Sequence, residues 1–164
     1  MTEPDMIAMR HAFHRVPELG FQEHKSKVRI AKILRDLGLE VHKGVGVVGV
    51  LRRGTGNRAI GLRADMDALP ITEASSHGYV SKTSGIMHAC GHDGHMTMLL
   101  AAAALLAEDA GFDGTAVFIF QPNEEHGLGA GLLGRFSRVG LGSDDTADGV
   151  SNSSRNVATA ILPV

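Results

Sequence analysis

The stretch His88-Ala89-Cys90-Gly91-His92-Asp93-Gly94-His95 is the part of the sequence around which the fold is organised. It contains the single cysteine of the chain, three of the nine histidines and one carboxylate. Thiolate, imidazole and carboxylate groups are the ligands that bind zinc, cobalt, nickel and manganese ions. An Ala/Leu/Met-rich run with strong helix propensity follows at 96–108. We therefore expect a metal-binding loop that leads into a buried helix.

The composition is that of one globular domain. The chain has 164 residues, 43% of them hydrophobic, and a formal net charge of -2. It has no basic block that would indicate a nucleic-acid partner, and no apolar run approaches the roughly 20 residues of a membrane span. A single cysteine excludes an internal disulfide, and the acidic N-terminus lacks the apolar region of a signal peptide. The sequence thus predicts a cytoplasmic protein that binds neither nucleic acid nor membrane.

The periodicity predicts an α/β fold, a mixed β-sheet flanked by helices. A first helix is expected from Thr2 to just before Pro17, and a second over 23–37 with Gly38 as its stop. Short β-branched runs follow at 39–42, 45–53 and 58–64, and we expect 45–64 to form a hairpin.

Two pairs of carboxylates lie just after predicted strands. They are Asp65 and Asp67 after 58–64, and Glu124 and Glu125 after the apolar strand 115–120. Open α/β sheets bind ligands at the carboxyl ends of their strands. We expect both pairs to meet the 88–95 loop at one edge of the sheet.

The character of the chain changes after residue 130. Residues 138–158 are rich in Gly, Ser, Asp, Asn and Thr and show no periodicity. We therefore predict a folded domain at 1–130 and a divergent, poorly ordered tail at 131–164.

Neither cluster indicates a site when taken alone. An isolated cysteine is usually a small buried hydrophobe, and an acidic pair is usually an exposed turn. Together they suggest a metal held by Cys90, His92 and one of the two glutamates, with the other glutamate free to act as a base on water. Asp65 or Asp67 would orient a ligand from behind.

Four stretches carry a resemblance to a known family. They are RHAFHRVPELGF at 10–21 with Glu23, LRADMDALPI at 62–71, MHACGHDGH at 87–95 and FQPNEE at 120–125. In order and approximate spacing they resemble the amidohydrolase branch of the M20 metallopeptidases. That branch contains hippurate hydrolases, N-acyl-amino-acid amidohydrolases and auxin-conjugate hydrolases.

The resemblance implies a function and a site. It implies that Cys90, His92 and Glu125 are ligands of a two-metal site for divalent ions such as zinc, manganese, cobalt or nickel. It further implies that Glu124 is the general base, that Asp67 lies behind the site, and that the substrate is an N-acyl amino acid. The neighbouring His88, Asp93 and His95 are not assigned as ligands.

The chain also departs from the family. Members are much longer, carry an inserted lid or dimerisation domain, and draw two further histidine ligands from beyond the glutamate pair. This sequence has no histidine after His126, which stands where the family usually has a small residue. We therefore expect no lid domain, no homodimer through it, and a truncation or frameshift near residue 130. Two hypotheses follow: a metal-dependent amidohydrolase, or an inactive fragment that at most binds a metal ion.

Two other enzyme classes fit less well. A zinc nucleobase deaminase needs His-x-Glu and Pro-Cys-x-x-Cys, and neither is present. A cysteine protease built on Cys90 would leave Glu124 and Glu125 without a role.

Overall fold

The computed structural model describes residues 2–109, 111–129 and 157–161. These residues form a mixed β-sheet with helices packed against it, which confirms the predicted α/β class. In chain order the elements are α1 (Glu3–His14), α2 (His24–Asp36), β1 (Glu40–Lys43), β2 (Val47–Arg53), β3 (Ala59–Asp65), α3 (His92–Glu108), β4 (Gly114–Gln121) and β5 (Val157–Ile161).

The first two helices follow the sequence pattern closely. Thr2 caps α1 through a capping box, in which the Asp5 carboxylate accepts from the Thr2 backbone N–H at 2.9 Å and the Asp5 N–H donates to the Thr2 hydroxyl at 3.5 Å. In α2, Ile30 and Leu34 are both fully buried on the face that packs against the core. The apolar stripe therefore decides which face of α2 turns inward.

The order of strands in the sheet corrects the hairpin predicted for 45–64. The order is β1-β2-β4-β3-β5, with β4 antiparallel to β2 and parallel to β3. The hairpin is instead β1 with β2, and β4 separates β2 from β3. The reason is the apolar character of β4: Phe118 and Phe120 are fully buried on one face, and Val117 packs with Val48 on the other. A strand that is apolar on both faces is stable only in the interior of a sheet.

Helix α3 begins at His92, one turn before the predicted start at residue 96. His92 and His95 therefore lie on the first turn of the helix, and the expectation that they lie on a loop is wrong. Gly91 enters the helix with a φ of 87°, a left-handed conformation that glycine adopts without strain. Its carbonyl accepts from the His95 N–H at 3.2 Å, which closes the first helical turn. Of the cysteine and the three histidines in the stretch 88–95, Cys90 and His88 remain on the loop before α3.

The core lies between α3 and the sheet. Leu99 and Leu100 of α3 are fully buried in the same cluster as Phe118 and Phe120 of β4. This packing fixes α3 rigidly over β4, so the first turn of α3 has a defined position at the sheet edge.

The predicted tail at 131–164 lies outside the described residues except for 157–161. Those five residues form β5, which pairs in parallel with β3. Within the described ranges, no helix is both long enough and apolar enough to cross a bilayer.

Replacing Leu99 with alanine should destabilise the fold strongly. Leu99 is fully buried, so Leu99→Ala leaves a cavity and should cost about 2–5 kcal/mol in the free energy of unfolding, as measured by urea denaturation. The matched control is Leu105→Ala on the same helix, where the side chain is 61% exposed and the loss should stay within about 0.5 kcal/mol. Equal losses for the two variants would contradict the packing described here.

Candidate metal centre

The site lies at the edge of the sheet where β3 and β4 end. The two strands are parallel, and the last residue of β3, Asp65, is paired with Gln121 at the end of β4. The chain segments that carry Asp67 and Glu124 therefore leave the sheet at the same edge. The first turn of α3 brings His92 to this edge, as the positions of the carboxylate pairs predicted.

Three potential metal ligands converge there. The Cys90 sulfur, a ring nitrogen of His92 and a carboxylate oxygen of Glu125 all lie within 4.8 Å of one another. The distance from His92 Nε2 to Glu125 Oε1 is 3.8 Å. Ligands about 2.0–2.3 Å from a tetrahedral zinc ion are roughly 3.3–3.8 Å apart, so the spacing fits a shared ion. Glu125 Oε1 is buried without a hydrogen-bond partner, which also suits a metal ligand.

A hydrogen bond on the side of the ring away from Glu125 fixes the orientation of His92. Its Nδ1 lies 2.8 Å from the backbone carbonyl oxygen of Asp67, which can only accept, so Nδ1 carries the proton. In the neutral ring the lone pair is then on Nε2. This nitrogen has carboxylate oxygens of Asp65, Glu125 and Glu124 at 3.6, 3.8 and 3.9 Å. Donation to a backbone carbonyl while the other nitrogen binds a cation is the usual arrangement of a ligating histidine.

Asp67 connects the histidine to the glutamate loop. Its side chain is fully buried and accepts a hydrogen bond from the Glu125 backbone N–H at 3.0 Å, and its other oxygen lies 3.4 Å from His92 Nδ1. Burial alone would raise the pKa of Asp67, but hydrogen bonds from His92 and from the backbone of Glu125 and Glu124 outweigh burial and lower it. Asp67 is therefore an anion that holds two neighbouring groups in place.

The charges around Cys90 and His92 favour a cation. Burial, followed by the negative charges of Glu125 and Glu124, raises the pKa of the Cys90 thiol. For His92, burial opposes protonation, but the hydrogen bond to Asp67 and the charge of Asp65 raise its pKa overall. Negative charge causes the shift at His92 and adds to the effect of burial at Cys90, and a divalent ion would compensate this charge.

Glu124 and Glu125 differ in exposure. The Glu124 side chain is 40% exposed and the Glu125 side chain 20%. Both belong to a turn closed by a hydrogen bond from the Gly127 N–H to the Glu124 carbonyl at 2.7 Å. Glu125 thus faces the buried His92 and the exposed Cys90, whereas Glu124 reaches towards solvent next to them.

A buried glutamate that sequence analysis did not assign to the site supports this turn. Glu23 is fully buried, and its carboxylate accepts from the Asn123 backbone N–H at 2.9 Å. Burial raises the pKa of Glu23. Asn123 itself has a φ of 48°, so this contact holds a left-handed residue directly before Glu124. The sequence signals were its place beside the family-like stretch at 10–21 and its position at the start of the predicted helix 23–37; its side chain makes no cap hydrogen bond.

A second group of donors overlaps with the first. Asp65, His92 and His95 also bring ligand atoms within 4.8 Å of one another. Asp65 is already engaged, because it accepts from His95 Nδ1 at 2.7 Å and from Arg63 Nη1 at 3.1 Å. Since both groups use His92, they form one continuous centre.

Comparison with known proteins places this chain in a family. Residues 61–154, more than half of the chain, match the model of peptidase family M20/M25/M40. The chain is 50% identical over 124 residues to a hippurate hydrolase of Campylobacter jejuni, a match that covers 74% of this chain and 32% of that protein. It is 42% identical over 132 residues to an N-acetyl-L-cysteine deacetylase of Bacillus subtilis, with 78% and 32% covered. The chain thus spans about a third of the length of these curated relatives.

Solved structures agree with the sequence comparison. The Bacillus subtilis YXEP protein, described as a dinuclear metal-binding peptidase of the M20 family, superposes with a TM-score of 0.79 at 36% identity, over 84% of this chain and 40% of that one. A protein of methicillin-resistant Staphylococcus aureus, described as an aminohydrolase, gives a TM-score of 0.75 at 39% identity over 77% and 35%. The family model covers more than half of the chain, and the fold is shared with solved structures at 36% and 39% identity, so the chain belongs to peptidase family M20/M25/M40.

Proposed function

We propose that this chain carries the ligands and the base of a metal-dependent amidohydrolase that acts on N-acyl amino acids. The observation that supports this most directly is the convergence of Cys90, His92 and Glu125 beside the more exposed Glu124. Relatives named as a hippurate hydrolase and an N-acetyl-L-cysteine deacetylase support the substrate class, because both names describe N-acyl amino acids.

In this proposal each residue has a separate task. Cys90, His92 and Glu125 hold a divalent transition-metal ion such as zinc, manganese, cobalt or nickel. A bound metal of this kind polarises a carbonyl oxygen and makes water more acidic. Glu124 takes a proton from the attacking water as its oxygen bonds to the amide carbon, and returns the proton to the nitrogen as the C–N bond breaks. Asp67 touches neither substrate nor water but positions His92 and the backbone of Glu125.

A second candidate function is metal binding without hydrolysis. It is favoured by residues 127–164, which contain no histidine to add to Cys90, His92 and Glu125. On this view residues 1–130 are a partial catalytic domain that at most binds a metal ion. The cytoplasmic location, the absence of a dimer through a lid domain and the poor order of the tail at 131–164 outside strand β5 stay sequence-based predictions.

Substitution of the two neighbouring glutamates should separate the two tasks. Glu124→Gln should retain the bound zinc but lower the rate of hippurate hydrolysis by about 10²–10⁴-fold, because the proton acceptor is lost. Glu125→Gln should lower zinc content and activity together. The measurements are zinc per chain after dialysis and release of glycine from hippurate.

The control for this pair is Glu3→Gln, an exposed carboxylate in the first turn of α1, which should leave both quantities unchanged. Zinc bound by the wild-type chain without any glycine release would favour the second candidate. No zinc bound by the wild-type chain would contradict both.

Zinc affinity at this centre should rise with pH. The raised pKa of Cys90 means that its thiol is protonated at neutral pH, and this proton must leave when the sulfur binds zinc. Each proton released makes the affinity about tenfold stronger per pH unit until the thiol ionises by itself. Isothermal titration in buffers of different ionisation enthalpy measures the protons released. Cys90→Ser should weaken binding and flatten the pH dependence, and a pH-independent wild-type affinity would argue against a thiolate ligand.

A further inference from the structure

A second cluster of metal-type donors lies between the end of α1 and the loop before α3. The His14 cluster consists of His14, Glu73 and His77, whose ligand atoms all lie within 4.8 Å of one another. His14 Nε2 is 3.0 Å from Glu73 Oε1, and His77 Nε2 is 3.1 Å from the same oxygen. The cluster shares no residue with the Cys90 centre.

The cluster is enclosed on one side and open on the other. The side chains of His14 and Glu73 are 5% and 4% exposed, whereas that of His77 is 31% exposed. A hydrated ion could therefore reach the cluster from the side of His77. The other oxygen of Glu73 accepts from the Ser81 backbone N–H at 2.5 Å, so Oε1 is the oxygen left for the two imidazoles.

A buried carboxylate fixes His14 on the side of the ring away from Glu73. His14 Nδ1 is 2.9 Å from Asp93 Oδ2, and the Asp93 side chain is fully buried. Asp93 is held in turn by the Arg10 guanidinium at 3.2 Å and by the Gly94 N–H at 2.8 Å. A carboxylate that accepts from one nitrogen of a histidine, while the other nitrogen faces a ligand position, is the outer arrangement found around protein metal sites.

This arrangement requires a positive group at Glu73 Oε1. A neutral imidazole donates from one nitrogen only, so donation from His14 Nδ1 to Asp93 leaves a lone pair on Nε2 facing the carboxylate of Glu73. Two electron-rich atoms 3.0 Å apart repel each other unless a proton or a metal ion lies between them. His77 Nε2 faces the same oxygen, so a single metal ion would satisfy all three atoms at once.

Aromatic packing holds the third ligand in place. The ring of Tyr79 stacks on His77 with centroids 3.7 Å apart and on His11 at the same separation. His14 meets Tyr79 edge-on at 5.4 Å. The orientation of His77 is thus fixed although the residue lies on a loop, which reduces the entropic cost of binding an ion.

We propose that His14, Glu73 and His77 bind a divalent cation at a site separate from the Cys90 centre. Zinc fits best, because two imidazoles and one carboxylate are a common zinc ligand set and the tetrahedral ligand spacing of about 3.3 Å is close to the separations found here. The fourth position faces the exposed side of His77. The inference does not depend on the proposed hydrolase activity, because the two sites have no ligand in common.

The test is a zinc titration of the full chain in competition with a chromophoric chelator. His77→Ala should remove one equivalent of bound zinc, or weaken it by more than the roughly 10–100-fold that loss of an outer partner costs. The isosteric Glu73→Gln should have the same effect, which guards against a loss caused by altered packing. The matched control is His24→Ala, an exposed histidine at the start of α2, which should bind as much zinc as the wild type.

Substituting cobalt for zinc distinguishes the ion bound at the His14 cluster from the ion bound at the Cys90 centre. Cobalt bound to a thiolate gives a near-ultraviolet charge-transfer band, whereas a site of histidine and carboxylate gives visible d–d bands without it. The equivalent that depends on His77 should lack the charge-transfer band and should persist in Cys90→Ser. If wild type, His77→Ala and Glu73→Gln all bind the same number of zinc ions with the same affinity, the position at Glu73 Oε1 holds a proton and the proposal is wrong.

Discussion

The structure depends on the burial of β4 between two strands. Because β4 is apolar on both faces, it takes the centre of the sheet, antiparallel to β2 and parallel to β3. The parallel pairing brings the ends of β3 and β4 to one edge, and with them Asp67, Glu124 and Glu125. Helix α3 packs on the same strands through Leu99 and Leu100, which places His92 over that edge. The donor cluster is thus a consequence of where the apolar surface is buried.

The proposed metal centre is supported mainly by groups that are not among its proposed ligands. Asp67 links His92 to the backbone of Glu125, and Glu23 fixes the backbone of Asn123 just before the glutamate pair. Both carboxylates are buried, so the hydrogen bonds that they accept form at low dielectric and are costly to break. Proposed ligands supported in this way would lose little conformational entropy when an ion binds, as a preorganised site requires.

Sequence alone indicated the fold class, the two N-terminal helices and the edge at which the site lies, because apolar periodicity and strand-end carboxylates are local signals. It missed the position of β4 between β2 and β3, since strand order depends on competition for the sheet interior and is not encoded in any one segment. It also placed the start of α3 one turn late, because His92 and Asp93 are weak helix formers that are held by Gly91 and by buried partners. Contacts between residues far apart in sequence, such as Glu23 with Asn123 and His14 with Asp93, left no local pattern to find.

The central claim is that Cys90, His92 and Glu125 share one metal ion. X-ray absorption at the zinc edge tests it most directly, using the His77→Ala variant loaded with one equivalent of zinc so that the His14 cluster does not contribute. We expect one sulfur at about 2.3 Å together with nitrogen and oxygen ligands at about 2.0–2.2 Å, with the sulfur lost in a variant that also carries Cys90→Ser. A shell of nitrogen and oxygen alone, unchanged by Cys90→Ser, would contradict it.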